Sequence, residues 1–318
     1  VSSPAISVVI PTHGGGFVAE AMASVIAQTT TDWELVVVDD GSRDGTAQLA
    51  AKLAAADPRI RVITHGRNTG IVAARNRGLS AISTSSTYVA FLDHDDIWTP
   101  TALELLTAAL VAAAGASAAH GMAIKIDRDG RPRPGDAESV PSRRMGLSRG
   151  RLRPWPPARP TEFANLVVED CVVSMGSGLI RRAALDRVGW FDPRAERAED
   201  YDMWVRLSRI GPIAFVSRDV LHLRLHEEQT SRRPRLPRGH GLGYVRYKMI
   251  ASPENTPEQR RLAIAGFRAR QGQLLVQHGS HLLTAWENDD YSSASRYVAE
   301  ATYCVARYVR GRPFSWHR

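Results

Sequence analysis

Ile6-Ser7-Val8-Val9-Ile10-Pro11 is a continuous apolar, β-branched run that is stopped by proline and followed by Gly14-Gly15-Gly16. A run without polar alternation reads as a strand buried on both faces. From residue 19 to 28 the apolar positions Met22, Val25 and Ile26 recur at helical spacing, so a helix follows. Working outward, residues 35–38 (Leu-Val-Val-Val) read as a second buried strand and 46–56 as a second helix. Residues 61–64 read as a third, shorter strand, 72–82 as a third helix and 88–92 as a fourth strand. This alternation predicts an α/β chain with a mostly parallel sheet flanked by helices. Ligands in such sheets bind beyond the carboxyl ends of the strands. Those ends are polar here: Pro11-Thr12-His13, Asp39-Asp40-Gly41-Ser42 and Asp93-His94-Asp95-Asp96.

The composition is that of a soluble globular chain, with 318 residues, 43% hydrophobic, 23% charged and 7% aromatic. This excludes a disordered tail, a coiled coil and a disulfide-stapled miniprotein. The apolar stretches fall short of the roughly 20 residues a membrane span requires, so no transmembrane helix is expected. The start of the chain has no secretion-signal pattern, and a cytoplasmic location is expected. Cys171 and Cys304 are too few and too far apart for a disulfide framework or a zinc site. The net charge of +8 comes almost entirely from arginine, which suits bidentate phosphate contacts. Charge alone does not choose among nucleic acid, an anionic membrane and a phosphorylated small molecule.

Residues 127–162 are rich in proline and arginine, with nine basic and five acidic side chains, and read as a long loop insertion spanning about 127–165. A second basic stretch, 231–248, has six basic and no acidic residues. From 257 to 308 the apolar residues fall at helical spacing, which predicts two or three helices. The expected organisation is a catalytic unit over 1–230, followed by a basic linker and a helical C-terminal extension over 231–318.

Asp93, Asp95 and Asp96 crowd three carboxylates at the mouth of a buried strand, where like charges repel unless a cation or donors neutralise them. A divalent ion is the economical solution, and carboxylate oxygens are the hard ligands that Mn2+ or Mg2+ prefer. Asp96 is equally suited to capping a helix that begins just after it. Asp39 and Asp40 sit at a second strand end on the same edge, where a carboxylate accepts from a base N–H or a ribose hydroxyl. Asp44 or Thr46 has the character of a cap for the helix that follows.

Together Ser7 to Thr12, Val38-Asp39-Asp40-Gly41-Ser42, Asn68-Thr69-Gly70 with Ala74-Arg75-Asn76, and Phe91-Leu92-Asp93-His94-Asp95-Asp96 resemble the family 2 glycosyltransferases. The resemblance continues through Ser177-Gly178-Leu179-Ile180-Arg181-Arg182 and Ala198-Glu199-Asp200-Tyr201-Asp202, and covers roughly residues 5–231. It implies a GT-A fold, which is Rossmann-like, and a nucleoside diphosphate sugar donor, with an Asp-x-Asp motif holding Mn2+ or Mg2+ against the diphosphate. By position it makes Asp95 the direct metal ligand, Asp93 a contact to ribose or metal, and His226 the late histidine that completes the metal site. It also implies that Asp40, with Asp39 as a second candidate, meets the nucleotide base with help from Pro11, Thr12 and His13. Arg75 and Arg67 are candidate diphosphate contacts, with a solvated surface as the alternative. Glu199-Asp200 matches the acidic pair in which the aspartate is the base. The same two acids would also suit the first turn of a helix through its dipole. Gly176-Ser177-Gly178 matches the acceptor-side loop, although a plain tight turn reads almost as well.

The chain departs from the pattern at Gly14-Gly15-Gly16, where a polar residue usually follows His13. It also lacks the Gln-x-x-Arg-Trp signature of processive relatives, so transfer of one sugar per encounter is expected. The resulting expectation is an inverting, metal-dependent transferase acting from a UDP-sugar on a hydroxyl of a glycan, lipid-linked or small-molecule acceptor. Oligomeric state is left open. A nucleic-acid-binding protein lacks the aromatic-interleaved basic pattern, and no nucleic acid partner is expected. An NAD(P)-dependent oxidoreductase would need Gly-x-Gly-x-x-Gly after the first strand, which Gly14-Gly15-Gly16 does not supply. The arginine-rich segments 143–159 and 231–248 fit either peripheral contact with the inner face of an anionic membrane or a solvated basic surface.

Overall fold

The computed structural model describes residues 4–133, 144–148, 151–227, 229, 240–287, 293 and 298. Most of the helical expectation beyond 287, the first part of the basic stretch (231–239) and residues 134–143 of the insertion lie outside the described residues.

The predicted alternation is present. The chain runs β1 (Ile6–Thr12), α1 (Val18–Ile26), β2 (Trp33–Asp39), α2 (Thr46–Ala54), β3 (Ile60–Thr64), α3 (Ile71–Leu79) and β4 (Tyr88–Phe91). It continues with β5 (Ile97–Trp98), α4 (Ala102–Ala112) and β6 (Ala118–Ile126), then a hairpin of β7 (Met145–Ser148) and β8 (Arg151–Pro154), then the short α5 (Phe163–Leu166). A 3-10 turn at Met175–Ser177 leads into β9 (Gly178–Arg181), α6 (Arg182–Val188), α7 (Glu199–Ile210) and β10 (Ile213–Arg224). The described chain then forms α8 (His240–Ala251) and α9 (Pro257–Glu287).

Eight strands form one sheet in the order β3-β2-β1-β4-β9-β6-β10-β5. The pairs β1–β2, β2–β3, β1–β4 and β6–β10 are parallel, whereas β9 runs antiparallel between β4 and β6, and β5 antiparallel on the edge of β10. The sheet is thus mostly parallel, with helices on both faces. Alternate side chains of the buried strands enter two cores. Val8, Ile10, Leu35 and Val37 pack with α1 and α4, whereas Val9, Val36, Val38 and Phe91 pack toward α3, α5 and α7. The second core also takes in Val245, Met249 and Ala263 of α8 and α9. Asp202 of α7, almost fully buried, fastens α8 by bonding Lys248 at 2.8 Å while its other oxygen takes Arg206.

Two expectations change. Asp96 does not cap a helix: the residues after it pair with β10 as Ile97↔His222 and Trp98↔Leu221, and α4 begins only at Ala102. The insertion expected over 127–165 is not structureless where it is described, because it contains the β7–β8 hairpin. Its local chemistry explains this. Arg144 is buried, lies 3.7 Å from the Phe215 ring centroid and donates to the carbonyls of Arg159 and Pro157, and Trp155 packs directly on Gly146. Composition had hidden an arginine that works as an internal crosslink. In the C-terminal region the described part of the stretch 257–308 is one continuous helix, α9, of 31 residues.

Candidate functional site

Every strand-end motif converges on one edge of the sheet because β1, β2 and β4 run parallel. Thr12 is in register with Asp39, so the last residues of β1 and β2 lie side by side. Both are buried at 2% exposure, and the Thr12 hydroxyl and the Asp39 Oδ1 have no protein partner. Asp39 Oδ2 accepts from the Ser42 amide at 3.3 Å. A buried carboxylate oxygen and hydroxyl left unpaired incur a desolvation penalty unless a ligand meets them.

Asp40 is in a different position. Its carboxylate accepts from the Thr69 amide and hydroxyl (2.6 Å for the latter), the Gly70 amide at 2.7 Å and His65 Nδ1 at 2.7 Å. Burial raises its pKa, but these donors together hold the carboxyl below its ordinary value. The Asp40 carboxylate is saturated by protein donors and organises the loop 65–70, whereas Asp39 keeps an unpaired oxygen. Gly41, at φ 78°, lets this loop come close: a Cβ there would lie 2.6 Å from the Arg67 carbonyl carbon. His13 is exposed and its Nδ1 lies 2.9 Å from the Asp40 carbonyl, with Pro11 at the end of β1 beside it.

Arg75 projects from α3 with 3% exposure. Its Nη2 donates to Asp93 Oδ1 at 2.7 Å and its Nη1 to Glu199 Oε1 at 3.0 Å. Arg75 thus forms a buried bridge between two acidic motifs, and its guanidinium stays charged because, against its burial, the neighbouring carboxylates favour the charge. Arg67, by contrast, is exposed.

Asp95 and His226 come together at the end of β10, with Oδ2 and Nε2 3.0 Å apart. His226 is 7% exposed and its Nδ1 has no partner. Among the described residues no group of three or more His, Cys, Asp or Glu side chains forms a metal cage. A carboxylate and an imidazole nevertheless suit an Mn2+ or Mg2+ ion, which commonly takes its other ligands from phosphate and water. Asp93 is turned toward Arg75. Asp96, at 2% exposure, accepts from the Arg224 amide at 2.9 Å, and burial with the charges of Asp95 and Asp93 raises its pKa well above the ordinary range.

Glu199 and Asp200 open α7. Glu199 is 7% exposed, and its Oε2 has no partner. Burial, partly offset by Arg75 and reinforced by Asp200, pushes its pKa up to about 7. Asp200 accepts from the Tyr201 amide at 2.7 Å and is half-buried. Its crowded surroundings raise its pKa against the pull of Arg75. A carboxylate of raised pKa that still reaches solvent has the character of a general base lining a cleft.

Ser177 is buried in the turn that leads into β9. Its hydroxyl is fully buried and donates to the Ser174 carbonyl at 2.9 Å, while the Gly176 carbonyl accepts from Trp98 Nε1 at 2.6 Å. The plain-turn reading describes these side chains. Two residues were missed. Asp170 is solvent-accessible, yet the crowding around it and the charge of Asp200 raise its pKa. Arg224 is completely buried beside the Asp95–His226 pair. Neither stands in a pattern that separates it from an ordinary surface acid or strand residue.

Residues 7–189 match the model of the family described as Glycosyl transferase family 2. An uncharacterized glycosyltransferase of Rickettsia felis is 28% identical over 72% of this chain and 36% of its own length. A chondroitin synthase of Escherichia coli is 26% identical over 72% of this chain and 30% of its own length. The chain therefore spans about a third of the length of these relatives. Among solved structures, S. aureus TarS 1–349 in complex with UDP-GlcNAc superposes with a TM-score of 0.62 at 15% identity, covering 96% of this chain and 92% of that one. At that identity the likeness concerns the GT-A fold.

Proposed function

Because the chain belongs to glycosyl transferase family 2, we propose that it transfers a single sugar, with inversion, from a UDP-sugar to an acceptor hydroxyl. The observation that carries the reading is the convergence on one sheet edge of unpaired Asp39 and Thr12, the Asp95–His226 pair and the Glu199–Asp200 helix start. In this reading Asp39 Oδ1 accepts the N–H of the uracil edge, and the Thr12 hydroxyl pairs with a neighbouring base or ribose oxygen. Asp95 and His226 hold Mn2+ or Mg2+, which when bound supplies positive charge to the leaving diphosphate.

Asp200 takes the proton of the acceptor hydroxyl as its oxygen attacks the anomeric carbon, and the bond from that carbon to the diphosphate oxygen breaks. One displacement on the face opposite the leaving group inverts the anomeric centre. Glu199, held by Arg75, keeps Asp200 at the mouth of the cleft, and burial with the charge of Asp93 raises the proton affinity of Asp200. The acceptor is a glycan, a lipid-linked sugar or a small molecule. The relatives named for polysaccharide synthesis favour a glycan. Among the described residues no helix is long and apolar enough to cross a membrane. Cytoplasmic action, with peripheral contact at the inner membrane face through the exposed arginines, belongs to the same proposal.

The test is calorimetric titration of UDP, GDP and dTDP with Mn2+ and with EDTA, followed by turnover of UDP-sugars. Metal-dependent binding of UDP that is lost in Asp95→Ala supports the reading. Equal binding in EDTA overturns the metal role.

A further inference from the structure

Arg224 ends β10 with no exposed surface, and its groups reach into three separate segments. Nε donates to the Asp95 carbonyl at 2.9 Å and Nη1 to the Arg128 carbonyl at 2.5 Å. Nη2 donates to Glu20 Oε2 at 2.6 Å, and the backbone amide donates to Asp96 Oδ1 at 2.9 Å. Its guanidinium carbon lies 4.6 Å from the ring centroid of Phe17, which also packs by the His226 ring at 5.0 Å and the Arg128 guanidinium at 5.6 Å. Glu20 lies in the first turn of α1, and Phe17 immediately precedes that helix. The glycine loop 14–16 thus leads straight into the two residues that Arg224 touches, and at Gly15 a Cβ would lie 3.4 Å from His94 of the Asp-x-Asp loop.

A fully buried guanidinium is a poor choice for stability alone, since apolar groups of similar volume commonly serve as well. Here its forked donors join the segment that follows the nucleotide loop to the backbone that presents Asp95. We propose that Arg224 is a positioning residue that couples occupancy of the nucleotide loop to the geometry of the Asp95–His226 pair, with Glu20 and Phe17 as its contacts on the loop side. A nucleotide that orders residues 13–17 fixes Phe17 and Glu20. These fix the Arg224 fork, and the fork fixes the carbonyl of Asp95 and the ring of His226. By reciprocity, metal at the pair tightens nucleoside binding. The inference rests on the proposed function and concerns a coupling carried by protein, separate from any direct ligation of metal by phosphate.

Uridine is the discriminating probe because it has no phosphate to ligate the ion. Mn2+ affinity is measured by electron paramagnetic resonance titration of the whole chain, with and without saturating uridine, without turnover. In the unaltered protein uridine tightens Mn2+ about fivefold or more, within the usual range of such couplings. Glu20→Gln, at a half-exposed position, brings that factor close to one while Mn2+ affinity without uridine stays the same and the protein remains folded. Phe17→Leu reduces the factor independently. The inference is overturned if uridine binds without changing Mn2+ affinity, if Glu20→Gln keeps the full factor, or if uridine fails to bind where UDP binds. Failure of both UDP and Mn2+ to bind overturns the proposed function itself, a result distinct from uncoupled binding.

Discussion

Arg75 Nη1 and Glu199 Oε1, 124 residues apart in sequence, lie 3.0 Å apart in the interior, and the same guanidinium holds Asp93 at 2.7 Å. One buried side chain therefore fixes the distance between the Asp-x-Asp loop at the end of β4 and the acidic start of α7. The loop that carries Asp93 and Asp95 and the helix start that carries Glu199 and Asp200 are not independent segments.

Arg75→Met should separate the two halves. Breaking a buried pair typically costs about 3–5 kcal/mol, and here the low end is expected because Glu199, already raised to about 7, takes up a proton when its partner is lost. Arg75→Lys keeps the charge but loses the fork. Urea unfolding should show a loss of about 3 kcal/mol for the methionine variant, and the lysine variant should stay folded with a clear fall in kcat. Wild-type kcat in the lysine variant would show that the bridge does not matter to turnover.

Asp39 and Asp40 are neighbours with opposite expected phenotypes. Asp40→Asn removes a charged acceptor from four donors and should lower stability by about 1.5–3 kcal/mol, read from the urea midpoint. Asp39→Asn leaves few protein bonds broken, so stability should hold while UDP affinity falls at least about tenfold, as expected when a buried ligand-binding acceptor is lost. The reverse assignment of phenotypes would return the base contact to Asp40.

Replacing the proposed base and the proposed metal ligand should fail in different ways. Asp200→Asn should lower kcat by roughly 10² to 10⁴ with UDP affinity unchanged, because only proton transfer is lost. Asp95→Ala should abolish the metal dependence of UDP binding before any question of turnover arises. Single-turnover transfer together with calorimetry distinguishes the two. An Asp200→Asn protein that keeps most of its rate would remove that residue from the reaction.

The sheet was legible because β1, β2 and β4 are short contiguous apolar runs closed by polar ends, and local periodicity reports such burial directly. The pairing of Asp95 with His226 was legible only through resemblance, since they lie 131 residues apart and a histidine in a loop has no local mark. The different surroundings of Asp39 and Asp40 could not be read from Val38-Asp39-Asp40-Gly41-Ser42. The donors that saturate Asp40 come from Thr69 and Gly70, 29 and 30 residues away. Arg144, Arg75 and Arg224 were misread or passed over for one reason: composition counts charges but does not show which of them turn inward onto carbonyls and carboxylates.

The most buried histidine supplies a prediction about acid stability. His120 lies in β6 with no exposed surface, its Nε2 2.7 Å from the Thr161 hydroxyl and its ring beside Phe215, which Arg144 covers from the hairpin side. Burial, and then the charge of Arg144, push its pKa down from 6.5 to about 3. Between those two values the unfolded chain carries a proton on this residue that the folded chain refuses. Its contribution is therefore fully favourable above about 6.5 and is lost as the pH falls through that window, with a limiting slope of about 1.4 kcal/mol per pH unit. His120→Gln keeps a donor and acceptor near Thr161 but cannot titrate. Between pH 7 and pH 5 the unaltered protein should lose about 2 kcal/mol more urea-unfolding stability than the variant. Parallel losses in the two proteins would mean that His120 is protonated in the native state, in which case the packing of Arg144 against Phe215 cannot exclude a second positive charge.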